Sequence, residues 1–377
     1  MKKPAITFFA LILLALTGLF FIATRFLPVE DLKNDSGKQQ NNPNDKVTFS
    51  EKFKRIENQL LNSSNVSNIS DSINSLSNNF EKNYLTALFR KRDSEFENSF
   101  NLLFSMLLSQ PNYYAYYDEL IFAAKATDKL GEIKKFVESE KTQNKYFDYL
   151  KALYFYHTNK YSQSVEILKD ENDFEQLYLL SYSYRGLGDY ENALMIMNQA
   201  ESIAKDDAYN LSKILISKGS LYLLSGKYIE AEKFYLSGLE FSKRSGNKKE
   251  EAKALINLAI LDDQNGNVEE AKNKLQTSIS ISEAIEDKEL EATALSELAV
   301  SFTYTGNVVE AKNNYEKSFE IFKVLNHKER LSKLCANIAA LYSQTANYSA
   351  ALDYYNKGFD YAGENVFSKI LNLRGLG

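Results

Sequence analysis

From about residue 48 onward, apolar residues return every three or four positions almost to the end of the chain, the spacing of helices that each bury one face. Phe49, Phe53, Ile56 and Leu60 stand at i, i+4, i+7 and i+11 and predict a helix over 49–61. Residues 62–70 read as a serine/asparagine loop, its Asn-x-Ser triplets at Asn62, Asn65 and Asn68 reflecting composition rather than glycosylation. Asp71 is placed to cap the next helix, carried by Ile73, Leu76, Phe80, Tyr84 and Leu88. Helix pairs follow at 85–91 with 96–108, 113–126 with 130–138, and 146–157 with 161–168, the last turning at Thr158-Asn159-Lys160. Ser109-Gln110-Pro111 stops the second helix of the first pair, because proline cannot continue a helix.

The pattern sharpens toward the C-terminus. Gly226-Lys227-Tyr228, Gly266-Asn267-Val268, Gly306-Asn307-Val308 and Ala346-Asn347-Tyr348 repeat at a spacing of 40. Alanine follows five residues later in each copy, at Ala231, Ala271, Ala311 and Ala351. Small residues precede by seven, at Gly219, Ala259, Ala299 and Ala339. Two helices flanking a turn need such residues for close backbone approach, and a fixed period of this size predicts a solenoid of stacked helical hairpins. Leu177–Ala200, with Gly188-Asp189-Tyr190 and Ala193, is a further copy.

These residues resemble the tetratricopeptide repeat family. Its helix pair has a small residue in helix A, an aromatic three positions on, a Gly-Asp-Tyr-like turn, an alanine and a later aromatic. Here they are Gly219, Tyr222, Gly226-Lys227-Tyr228, Ala231 and Tyr235. The resemblance implies an all-α, right-handed α-α superhelix. The period of 40 exceeds the family's usual ~34 and is similar to a long-repeat subgroup of scaffold proteins that includes kinesin light chain. Asp262 replaces the helix A aromatic, Lys218 and Cys335 stand where apolar residues are expected, and Ala346 replaces the turn glycine.

Ahead of the repeats, Ala5–Thr24 is an uncharged apolar run flanked by Lys2, Lys3 and Arg25, long enough to span a bilayer as a helix. It predicts a single-pass anchor with the N-terminus inside and the solenoid exported, as at a bacterial inner membrane facing the periplasm. A cleaved signal peptide releasing a secreted chain is the alternative. The expected organisation is thus an anchor or signal at 1–28, a disordered polar linker at 29–47, a helical extension at 48–79, degenerate pairs at 80–176, repeats at 177–364 and an incomplete repeat helix at 365–377.

Charge and chemistry narrow the function. Fifty acidic against 45 basic residues, with no basic stripe, exclude nucleic acid as an expected partner. A single cysteine excludes an internal disulfide and a multi-cysteine metal site. No phosphate loop, metal-ligand cluster or nucleophile motif occurs, so neither a cofactor nor an enzymatic activity is expected. Asp262-Asp263 and Glu269-Glu270 are consecutive and point in different directions around a helix.

The position two before each small residue is Ser217, Asn257, Glu297 and Asn337. In the subgroup the chain resembles, asparagines there hold the main chain of an extended peptide, so Asn257, Asn337 and Glu297 are candidate groove residues. Lys213, Lys253 and Lys333, one turn earlier, are placed to meet a partner's carboxylate. Tyr178, Tyr182 and Tyr184 suit a core better than a binding platform, Cys335 reads as a packing residue, and His157 and His327, near loops, are expected to be exposed. The expected function is a non-enzymatic, membrane-anchored scaffold presenting its groove to a protein or peptide. The alternative is the sensing portion of a signalling protein without its effector.

Overall fold

The structure is a computed structural model that describes residues 49–62, 68–109, 111–140, 144–363 and 369. The predicted anchor, the linker and all of the terminal segment except Lys369 lie outside the described residues. Among the described residues, no helix is long and apolar enough to cross a membrane.

All regular structure in the described residues is helical. Two short helices, α1 (Glu51–Asn62) and α2 (Ile69–Asn74), lead into a series of hairpins. These are α3 (Asn79–Arg92) with α4 (Phe96–Met106), α5 (Tyr114–Ala126) with α6 (Leu130–Ser139), α7 (Lys145–His157) with α8 (Tyr161–Leu168), and α9 (Phe174–Gly186) with α10 (Tyr190–Ile203). The longer pairs are α11 (Ala208–Leu224) with α12 (Tyr228–Ser245), α13 (Lys248–Gln264) with α14 (Val268–Ala284), α15 (Lys288–Tyr304) with α16 (Val308–Val324), and α17 (Lys328–Gln344) with α18 (Tyr348–Ala362). The helix expected from Asp71 through Leu88 is two helices. Asp71 lies inside the first turn of α2, and Asn78, whose side chain accepts from the Glu81 N–H, caps α3.

One turn design closes every hairpin. The residues at 94, 128, 159, 188, 226, 266, 306 and 346 all have a left-handed backbone, with φ from 57° to 84°. The residue after each donates its N–H to the carbonyl five positions back, from Glu95 to Arg90 at 2.9 Å through to Asn347 to Tyr342 at 2.9 Å. This is the bonding of a Schellman cap, which satisfies carbonyls left over at a helix end. Glycine supplies the conformation at Gly188, Gly226, Gly266 and Gly306, whereas Ser94, Asp128, Asn159 and Ala346 adopt it with a side chain in place. The return turns between long pairs repeat the device at Gly246, Glu286 and Asn326.

Inside a pair the small residues do what their spacing implies. A Cβ added at Gly219 would lie 2.6 Å from the Tyr235 ring, so the aromatic fills the space glycine leaves. Ala259, Ala299 and Ala339 are fully buried at the equivalent place, as are Ala231, Ala271 and Ala311 on the facing helices.

The chain forms two compact units. The first runs to Leu255 and includes Ser280–Lys288; the second comprises Ile256–Ile279 and the residues from Glu289 on. In the first, one continuous core runs from Phe53 through Tyr84, Tyr116, Leu150 and Leu180 to Ile214. In the second, the terminal pair closes over Ala336, Ala339, Ala351 and Tyr355.

Candidate protein-interaction surface

In the second unit, Asn257, Glu297 and Asn337 take equivalent positions on the A helices α13, α15 and α17. Each stands two residues before the alanine that packs on the hairpin partner, and at about 100° per residue it therefore looks away from the B helix. Asn257 and Asn337 are nonetheless almost wholly withdrawn from solvent, each 6 % exposed, while Glu297 is half-buried. Asn337 Oδ1 has no hydrogen-bond partner. A buried acceptor of this kind costs about 1–3 kcal/mol in the free chain.

Several neighbouring polar groups are paired within the chain. Ser301 Oγ donates to Asp263 Oδ2 at 2.6 Å, tying α15 to α13, and Thr293 Oγ1 donates to the Glu289 carbonyl at 2.8 Å. Asp262 turns to Lys274 at 2.5 Å on the hairpin partner, so the adjacent carboxylates do face different ways. Lys333 is buried and donates to Glu329 Oε1 at 2.6 Å within α17. Cys335 is fully buried, and burial pushes its thiol up to about 12. His327, expected to be exposed, is instead buried, with Nε2 3.3 Å from Glu289 Oε1.

In the first unit the A helices carry a polar network that the sequence reading missed. Tyr149 OH donates to Asp118 Oδ1 at 2.8 Å, Tyr114 OH to Asp173 Oδ2 at 2.7 Å, and Tyr113 OH to Glu57 Oε1 at 2.7 Å. Lys91 donates to both oxygens of Glu119 at 2.8 Å. Lys213 Nζ lies 5.5 Å and 4.7 Å from the ring centres of Phe174 and Tyr178. Ser217 Oγ joins the hydroxyls of Tyr178 and Tyr182 at 2.8 and 3.0 Å, so both tyrosines are core members with satisfied polar tips; Tyr184 is half-buried. Lys253 is buried beside its own helix's Glu250, at 2.5 Å. Lys253 and Lys333 thus already hold carboxylates of this chain.

Burial also shifts the acids. It drives the Asp118 carboxyl up to about 8, against the Tyr149 hydrogen bond and the Lys213 charge, which favour the ionised form. Glu175 is raised for the same reason, again opposed by Lys213. The available signal was the tyrosine density of α5, with Tyr113 just before it, and α7, where Tyr113, Tyr114, Tyr116, Tyr117, Tyr146 and Tyr149 are all buried. Among the described residues, no group of three or more His, Cys, Asp or Glu side chains is placed to hold a metal ion.

The arrangement defines a class, a helical-repeat solenoid with polar groups on its A helices. Comparison with known proteins places that class further. Family models described as Tetratricopeptide repeat match residues 177–207 and 290–362, so the chain carries repeats of this kind in both stretches. Among solved structures, the fold is similar to that of a Rap protein complexed with Competence and Sporulation Factor, with 15 % identity, a TM-score of 0.54, and coverage of 84 % of this chain and 85 % of that one. It is also similar to the APC/C hetero-tetramer Cut9-Hcn1, with 12 % identity, a TM-score of 0.53 and coverage of 86 % of this chain. This chain spans 63 % of the latter's length. At these identities the likeness establishes the solenoid fold alone. No match was found among curated proteins.

Proposed function

We propose that the chain is a non-enzymatic protein-interaction scaffold, and that the A-helix face of its second unit holds an extended peptide segment of a partner. The carrying observation is Asn337, an amide whose carbonyl oxygen is buried without a partner. A peptide N–H supplies what that oxygen lacks, and Asn257, at the equivalent position two repeats earlier, offers the same donor and acceptor chemistry to main chain further along the ladder. Main-chain recognition from asparagines reads an extended backbone without selecting its side chains. Lys333 and Lys253, already paired with Glu329 and Glu250, contribute charge balance in their own helices, and Glu297 lines the same ladder. Two of the solved structures similar in fold are a complex of a Rap protein with Competence and Sporulation Factor and a hetero-tetramer, which supports the class of function without identifying a partner. The apolar run Ala5–Thr24 supports placing the scaffold on a membrane as a single-pass protein with the repeats exported.

The test compares in-cell crosslinking of wild type with Asn257→Ala, Asn337→Ala and the double variant. Removing an orphan acceptor leaves stability equal or higher by up to about 1–3 kcal/mol, while the crosslinked partner is lost. An unchanged partner set rejects the groove. Fractionation with protease protection tests the placement, and a soluble mature product would sink it.

A further inference from the structure

In an array whose repeats contact only their neighbours, residues far apart in sequence do not meet. Among the described residues, the first unit departs from this rule at Arg92. Arg92, at the end of α3, reaches Glu286, at the end of α14, across 194 residues of chain. Nε donates to Oε2 at 2.9 Å and Nη2 stands 2.7 Å from Oε1, an ion pair carried by one charge-assisted hydrogen bond. Arg92 Nη1 also donates to the Leu60 carbonyl at 2.6 Å, so one buried guanidinium binds α1, α3 and the distant turn together.

The turn itself is built to present this carboxylate. Glu286 has φ 55° where the preceding repeat has Gly246, a left-handed conformation that L side chains rarely adopt. Its neighbour Asp287 is held by Lys249 at 3.0 Å, which fixes the turn to the start of α13. Asp287 therefore secures the turn locally and leaves Glu286 to make the long-range contact.

Polar groups on the A-helix face of this unit are withdrawn from water. Asp118, Glu119, Asn210, Ser217 and Lys253 are polar, yet none is more than 8 % exposed.

We infer that the Arg92–Glu286 pair is a latch: it holds the first hairpin against the turn after α14, and its release opens the A-helix face of the first unit. This rests on the reading that A-helix faces of this chain receive a partner, but closure itself is measurable without one.

The test uses the full chain carrying Ser217→Cys, with the maleimide labelling rate of that thiol as readout; the native Cys335 is fully buried. Arg92→Ala and Glu286→Ala are each expected to raise the rate by roughly tenfold, the range of one charge-assisted pair. The double variant is expected to raise it no further than Arg92→Ala, since the ion pair is then lost only once. A Ser318→Cys reporter in the other unit, where Ser318 is fully buried, should stay unchanged. Unchanged labelling at Ser217→Cys, additive effects, or an equal rise at both reporters would each overturn the latch. Partner crosslinking plays no part in this readout, so failure of the groove assignment and failure of the latch are separate results.

Discussion

Ala346 is the one long-repeat hairpin turn without glycine, and replacing it should stabilise the terminal repeat. Its φ is 57°, while Gly226, Gly266 and Gly306 at the equivalent turns have 74°, 84° and 73°. A left-handed residue with a Cβ costs about 1–2 kcal/mol. Ala346→Gly removes that cost but gives the unfolded chain extra freedom, taking back about 0.4–1 kcal/mol. The net expectation is a gain of roughly 0.5–1 kcal/mol. The converse control is clean, because a Cβ added at Gly266 would meet nothing within 4 Å. Gly266→Ala should therefore lose a similar amount through backbone conformation alone. In a repeat array the effect is local, so the suitable assay is hydrogen exchange of the α17 and α18 amides alongside urea unfolding. Slower exchange in Ala346→Gly and faster exchange around α13 and α14 in Gly266→Ala are expected. A neutral Gly266→Ala, or an Ala346→Gly that exchanges faster, would refute the conformational argument.

Gly219→Ala should destabilise by about 1–3 kcal/mol, since its Cβ would sit 2.6 Å from Tyr235. Adding Tyr235→Leu, which reproduces the Ala259 and Leu275 pairing one repeat on, should recover part of the loss in thermal unfolding; no recovery would mean that glycine is needed there for another reason. Asp118 governs a pH dependence. Its carboxyl is raised from an ordinary 3.8 to about 8, so the folded chain holds the proton more tightly than the unfolded one. Stability is then full below the ordinary value and falls as pH rises toward 8, by on the order of 2–4 kcal/mol between pH 5 and 8. Asp118→Asn should flatten that fall in urea melts, and a variant as pH-sensitive as wild type would reject the assignment. For the groove, Asn337→Ala should lose the partner without losing stability.

How much of this was legible depends on what each sequence signal physically reports. The ladder at 226, 266 and 306 was readable because glycine is the cheapest residue in a left-handed turn and marks the turn by its presence, and the period then placed Ala346. The earlier turns at Ser94, Asp128 and Asn159 use the same backbone, but their residues are common elsewhere in polar loops, so the hairpins were visible from apolar spacing and their shared design was not. The split between α2 and α3 was hidden for a related reason. Ile73, Leu76 and Phe80 keep helical spacing across the break, and only Asn78, a capping residue followed three positions on by Glu81, reveals a new start.

The inner polar residues were harder, and the reason concerns burial rather than propensity. Helical periodicity says which way a side chain points, but whether that direction meets water depends on elements far away in sequence. Lys253, Lys333 and His327 each look solvent-facing by that logic, yet all are buried against carboxylates. One such pairing was recoverable: Lys249 with Asp287 and Glu289 with His327 share a spacing of 38 residues with the charges exchanged, a complementarity that repeats with the fold. Arg92 and Glu286 had no such companion pair, because their contact belongs to no repeat. The periodic contacts hold neighbouring hairpins together and can be inferred from the period. The contact of Arg92 with Glu286 cannot be, and with the buried, unpartnered oxygen of Asn337 it marks where the period stops predicting what the chain does.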